Sequence, residues 1–175
     1  MKLTCQDCSL AELCLPRALS PDDMGQFETM VGQRPAMVRG NFLYQTGDVF
    51  EGLYAVKSGS FKTTISASDG EDQITGFYLP GELFGFDGFD DHHSCSAVAL
   101  EHSCVCELPL SSIDQLVVKI PSLRRELDRL MAREITTDQA MLLQLSRRTA
   151  EQRLAAFLVS LSSRFRQRGF SGTEF

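Results

Sequence analysis

Leu53-Tyr54-Ala55-Val56-Lys57-Ser58-Gly59-Ser60-Phe61-Lys62-Thr63-Thr64-Ile65-Ser66-Ala67-Ser68-Asp69-Gly70-Glu71 decides the fold. Two short runs suited to strands, Leu53–Ser58 and Ser60–Ala67, are parted by a glycine. The second ends in Ser68-Asp69-Gly70-Glu71, a hairpin turn in which Gly70 supplies the positive φ. A third run, Gln73–Leu79, follows at once. The pattern extends outward from Ala36 to Pro109, with further strands at Phe42–Gln45, Ser96–Ala99 and Cys104–Pro109. Closely spaced strands with turn signals between them indicate an antiparallel sandwich or barrel.

Helices flank this block. Ser20-Pro21-Asp22-Asp23 reads as a helix start, with Ser20 as the cap and Pro21 at the first position. That helix, Asp22–Val31, sets Met24, Phe27, Met30 and Val31 on one side. Upstream, Leu10-Ala11-Glu12-Leu13 forms one helical turn in a cysteine-bearing arm. Downstream, Ser111–Lys119 is a short helix stopped before Pro121. Ser122 caps a long helix reaching about Leu145. Thr149-Ala150-Glu151-Gln152 matches a capping box and opens a last helix to about Phe165, which Gly169 closes.

The fold class is therefore α+β, and a chain of 175 residues is long enough to bury a real core. Its organisation reads as a cysteine arm (1–20), a β-domain with flanking helices (21–120), a long helix (121–146) and a final helical segment (147–175). No apolar run approaches the ~20 residues of a membrane span. The first residues lack a signal-peptide core, so a cytoplasmic protein with no membrane association is expected.

The formal charge of −6 argues against a chain that grips duplex DNA by itself, because phosphate contacts call for a basic patch. Acidic residues dominate to about Asp114, and arginines gather in the last third. Six cysteines stand at 5, 8, 14, 95, 104 and 106. In a reducing cytosol such thiols serve metals or redox chemistry rather than disulfides. Three of them within ten residues make a ligand loop. Zinc held by four cysteines is a reading that spacing alone leaves open.

The long helix carries two apolar stripes. Leu123, Leu127, Leu130 and Met141, interrupted by Glu134 and Thr137, suit packing on the β-domain. Asp128, Met131, Ile135, Asp138, Leu142 and Leu145 follow the 3-and-4 spacing of a seam with a second helix, so a homodimer is expected.

Several motifs together resemble the CRP/FNR superfamily. Gly40…Gly47-Asp48 with Leu53–Gly59 resembles the opening of the cyclic-AMP-receptor-type β-roll, and Gln73–Phe77 with Pro80-Gly81-Glu82-Leu83 continues it. Leu154–Leu158 through Arg168–Ser171 resembles the hinge into a DNA-binding domain. Cys5, Cys8 and Cys14, separated by two and then five residues, are similar to the arm of the fumarate-and-nitrate-reduction (FNR) branch.

That resemblance implies a β-roll with a dimerisation helix and a 4Fe–4S cluster that supports a DNA-binding dimer without oxygen. It implies too that oxygen converts the cluster to a 2Fe–2S form. It implies Cys5, Cys8 and Cys14 as arm ligands and Cys106, before Glu107-Leu108-Pro109, as the fourth, with Cys104 the substitute. It also implies RNA polymerase contact around Asp69, Gly70 and Glu71. Promoter DNA is expected only of the full-length protein, because family members continue past Phe175 into a helix-turn-helix domain. Four thiolates are what an iron–sulfur cluster needs, and one distant cysteine clamping the arm would couple cluster integrity to the arm's position.

Other readings are weaker. A cyclic nucleotide needs an arginine fork for its phosphate, and no arginine lies between Arg39 and Arg124. His92-His93, flanked by Asp90, Asp91 and Ser94, reads as a solvated loop rather than a metal pair. No nucleophile–base signature or phosphate loop marks an enzyme.

Overall fold

A computed structural model describes residues 4–66 and 70–174. The chain divides into two compact units, 1–131 and 132–175. The first opens with two turns of 3-10 helix, Ala11–Leu13 and Leu15–Ala18, followed by α1 (Pro21–Met30). Ser20 caps α1 by accepting the Asp23 amide, with Pro21 at the first position. Then come β1 (Gly32–Gln33), β2 (Phe42–Tyr44), β3 (Gly52–Ser58), β4 (Phe61–Ser66), β5 (Asp72–Tyr78), β6 (Leu83–Phe84), β7 (Ser96–Ala99) and β8 (Cys104–Pro109).

The strands form two four-stranded antiparallel sheets, β1-β8-β3-β6 and β2-β7-β4-β5. The expected β-roll is present. Of the hairpin turn between β4 and β5, Ala67, Ser68 and Asp69 lie outside the described residues; Gly70 has the expected positive φ, +85°.

Strand β3 explains the architecture. Tyr54 and Val56 join Phe61, Phe84, Ala97, Ala99 and Val105 in a core made by both sheets. Leu53 and Ala55 point the other way, into a second core with Leu15, Phe27, Leu108, Ile113, Leu116, Leu123 and Leu127. A strand buried on both faces needs a continuous apolar run, which Leu53-Tyr54-Ala55-Val56 supplies. At roughly 1.5–3 kcal/mol for each fully buried large side chain, these two cores dominate the unit's stability. The second core also draws the cysteine arm onto the sheet, since Leu15 is 2% exposed.

Helix α2 (Leu110–Lys119) ends at Ile120, and α3 spans Pro121–Arg147. Ser122 is not its cap. Proline's fixed φ already suits a first helical position, so α3 starts at Pro121 and Ser122 lies inside its first turn. The stripe expected on the β-domain does so at Leu123 and Leu127, with Leu130 packed beside them.

In the second unit α4 (Ala150–Gln167) follows a complete capping box between Thr149 and Gln152. The Gly169 amide then bonds the Arg166 carbonyl, closing the helix. Among the described residues no helix is long and apolar enough to cross a membrane.

Candidate metal centre

The arm is a run of tight turns. The Cys8 amide bonds the Cys5 carbonyl at 3.2 Å, the Ala11 amide the Cys8 carbonyl at 3.0 Å, and the Arg17 amide the Cys14 carbonyl at 3.3 Å. Each turn curls the chain back, which brings three cysteines to one side. The Gln6 amide donates to the Glu28 carboxylate at 2.7 Å, tying the arm to α1. Leu15 and Pro16 fix its far end in the core.

Cys106 comes from the interior of a sheet. It is registered opposite Gln33 of β1 and Ala55 of β3, so hydrogen-bonded neighbours hold it on both sides. Arg34 steadies the same strand. Its guanidinium grips Glu107 at 3.0 and 2.7 Å, also meets Glu51, and lies 5.5 Å over the Tyr54 ring.

Cys5, Cys8, Cys14 and Cys106 all line one cavity, open to solvent. Its walls are largely apolar, from Leu10, Leu15, Phe27, Val31 and Leu83, and Lys57 and Glu107 also line it. Among the described residues no three Cys, His, Asp or Glu side chains converge as a single-ion site. Cys104 and Cys95 do not line this cavity. Cys104 lies past a break in the β3–β8 register between Val56 and Ser58. Cys95 is buried elsewhere, with its thiol donating to Asp87 at 3.2 Å.

Burial pushes the Cys14 thiol up to about 12 and the Cys5 thiol up to about 11, with the negative charge of neighbouring thiolates adding to both. Burial raises Cys106 as well, against an opposing pull from Lys57. Without a bound cation these thiols are neutral at pH 7. A cationic metal group offsets the cost of ionising them, the usual coupling between thiolate formation and metal binding. Four thiols among largely apolar walls are a donor set that fits an iron–sulfur cluster.

Gly81 supports the arm from below. It has φ +88°, and a Cβ there would come within 2.7 Å of the Leu13 Cβ. Alanine at this position meets both left-handed backbone strain and a rigid neighbour. Gly81→Ala is expected to cost about 1–3 kcal/mol in urea unfolding and to loosen the arm, seen as faster amide exchange at Leu13 and Cys14.

The remaining predicted residues fall in three places. Met131 is half-buried, while Ile135, Leu142 and Leu145 are exposed along α3, with Asp138 among them. Gly70 and Glu71 are exposed just before β5, and Asp69 is outside the described residues. The solvated-loop reading of His92-His93 holds for His92 and fails for His93, which is 2% exposed. The His93 ring stacks on Tyr44 with centroids 3.6 Å apart. Its Nδ1 lies 3.3 Å from Asp87, whose carboxylate also accepts the Ser94 and Cys95 amides. Inward-facing alternation at Ala99, Ala97 and Cys95 continues back to His93, a signal the polar flanks conceal.

The sequence profile of the cyclic nucleotide-binding domain matches residues 36–119. The transcriptional activator protein Anr of Pseudomonas protegens is 50% identical over 172 residues, spanning 98% of this chain and 70% of that protein. The chain belongs to the CRP/FNR family, in its FNR branch. The fumarate and nitrate reduction regulatory protein of Escherichia coli K12 is 45% identical over 98% of this chain and 69% of its own length. The structure of FixK2 from Bradyrhizobium japonicum superposes with a TM-score of 0.72 at 27% identity, covering 77% of this chain and 67% of that one. This FNR-branch protein is a transcription regulator rather than an enzyme.

Proposed function

We propose that this FNR-branch chain is the oxygen-sensing and dimerisation portion of a cytoplasmic transcription regulator. Cys5, Cys8, Cys14 and Cys106 would hold a 4Fe–4S cluster. One observation carries the reading: three thiols from the arm and one from the centre of a sheet share a single cavity. When bound, the cluster supplies an oxygen-labile link among those four thiolates. The chain's own residues do the rest. Leu15 and Pro16 seat the arm, β8 holds Cys106 still, and apolar walls flank the thiolates. Met131, Ile135, Leu142 and Leu145 form the seam with a second copy. Promoter DNA is read by the full-length protein, and the turn at Asp69, Gly70 and Glu71 faces RNA polymerase.

The β-roll of this chain binds no cyclic nucleotide on this reading. The carboxylate of Glu82 accepts the amide of Leu79 at 2.9 Å, and Asp87 already takes the Ser94 and Cys95 amides. No arginine of residues 40–123 is present to pair a phosphate. Titration calorimetry with cyclic AMP or cyclic GMP at roughly millimolar levels, where binding is worth about 4 kcal/mol, should give no binding heat.

Anaerobic reconstitution with iron and sulfide tests the proposal. A brown protein with about four irons per chain is expected, as four thiolate ligands require. Stoichiometric zinc that survives air, with no iron–sulfur spectrum under anaerobic conditions, would overturn it.

A further inference from the structure

Arg17 stands three residues beyond Cys14, and its side chain leaves the arm for α3. Its Nε lies 3.0 Å from the Glu126 carboxylate, and its Nη2 meets the same oxygen. The Glu126 side chain is only 10% exposed. A carboxylate so buried needs compensating charge. Arg129 supplies some at 3.0 Å, but it sits one turn along the same helix and is 62% exposed, so it moves wherever α3 moves. Of the two arginines paired with Glu126, Arg17 is the one that ties it to a different element.

The span from Cys14 to that ion pair is stiff. Cys14 begins the 3-10 turn Leu15–Ala18, its carbonyl accepts the Arg17 amide, and Leu15 and Pro16 between them are buried. On the other side, Glu126 lies on the same unbroken helix as Ile135 and Asp138. Nine residues of helix from Glu126 to Ile135 span about 13 Å.

We infer that the Arg17–Glu126 pair is the strut that transmits the arm's position to the dimerisation helix, making Arg17 a positioning residue. The inference rests on the proposed oxygen-sensing reading. With the arm seated, the guanidinium fork holds the buried carboxylate, and α3 with it, in one place. When the arm lifts, Glu126 keeps only a partner that travels with it, and the helix is free to carry the carboxylate towards water.

The test measures the dimer dissociation constant by sedimentation, with and without the cluster, alongside iron content. The proteins are the parent chain, Arg17→Met, Glu126→Met, the double variant and Arg17→Lys. Arg17→Met is expected to load as much iron as the parent while its cluster-loaded dimer weakens roughly tenfold, about 1.4 kcal/mol. The cluster-free state should be unchanged. The double variant should be no weaker than either single one, and Arg17→Lys, which keeps charge without the fork, should recover part of the loss. Should either methionine variant fail to fold, Glu126→Gln removes the charge at constant shape and carries the same expectation.

Equal weakening in both states would show a merely structural pair and overturn the inference. So would no weakening at all, or loss of iron from Arg17→Met, which would assign Arg17 to holding the ligands. If the parent itself takes up no cluster, the oxygen-sensing reading fails, and the strut with it. If the parent loads and dimerises normally and only the Arg17→Met effect is missing, the strut alone fails.

Discussion

Cys106→Ser is expected to lose the iron–sulfur cluster altogether, while Cys95→Ser and Cys104→Ser keep about four irons per chain. Three arm cysteines can hold a metal group only loosely, because the arm is anchored by a few turns and by Leu15. Cys106 is different. Neighbouring strands register it at Gln33 and Ala55, so it fixes where the cluster sits and closes the link between arm and sheet. A serine hydroxyl is a poor substitute for a thiolate on iron, and loss of one of four ligands in a solvent-open cavity leaves iron exposed to exchange. Cys95 spends its thiol on Asp87, and serine keeps that donor. Iron and sulfide assays on the three variants decide the matter. Retention of the cluster in Cys106→Ser with its loss in Cys104→Ser would move the fourth ligand along the strand.

The second large effect is expected from Asp138→Ala, which should turn a largely monomeric cluster-free protein into a dimer. Ile135 is 57% exposed and Leu142 67%, an apolar seam that favours pairing. Asp138 lies between them, so two parallel copies bring two carboxylates together. Unit charges ~4 Å apart at an effective dielectric of ~20 repel by about 4 kcal/mol, less where water reaches them. A dimer of micromolar affinity is held by about 8 kcal/mol, so this repulsion is a large fraction of the whole. Removing it should tighten the cluster-free dimer by about ten- to a hundredfold in sedimentation at neutral pH. An unchanged monomer would make Asp138 an ordinary surface acid.

The same charge sets a pH dependence. Desolvation by its neighbours already pushes the Asp138 carboxyl up, and a second carboxylate pushes it further in the dimer. Dimerisation therefore takes up protons, and the cluster-free dimer strengthens as pH falls towards the carboxyl's titration range. In Asp138→Ala that dependence should flatten.

Strand and helix positions were legible because local chemistry agrees with the fold at most of them. Ser20-Pro21 and the Thr149–Gln152 box place helix starts through backbone amides that need partners, and both start where expected. Two-residue strands such as β1 and β6 are too short to carry a period. Their existence depends on β8 and β3 lying beside them. Ser122 misled because its capping propensity competes with the proline before it.

The site divides in the same way. The spacing of Cys5, Cys8 and Cys14 marks a ligand loop by itself, but Cys106 is separated from Cys14 by most of the β-roll. Only family resemblance, not periodicity, singled it out. The Arg34–Glu107 and Arg17–Glu126 pairs join residues 73 and 109 positions apart, and nothing local announces them. His93 was hidden by its polar neighbours, although the inward alternation of β7 runs back to it.

The central claim is that the cluster and the dimer rise and fall together. One sample of the unmodified chain, reconstituted without oxygen, should be followed by sedimentation and iron assay before and after admitting air. A dimer with about four irons per chain that becomes a monomer in step with iron loss is the predicted result. A dimer that persists unchanged after the iron has gone, or a loaded protein that stays monomeric, would contradict it.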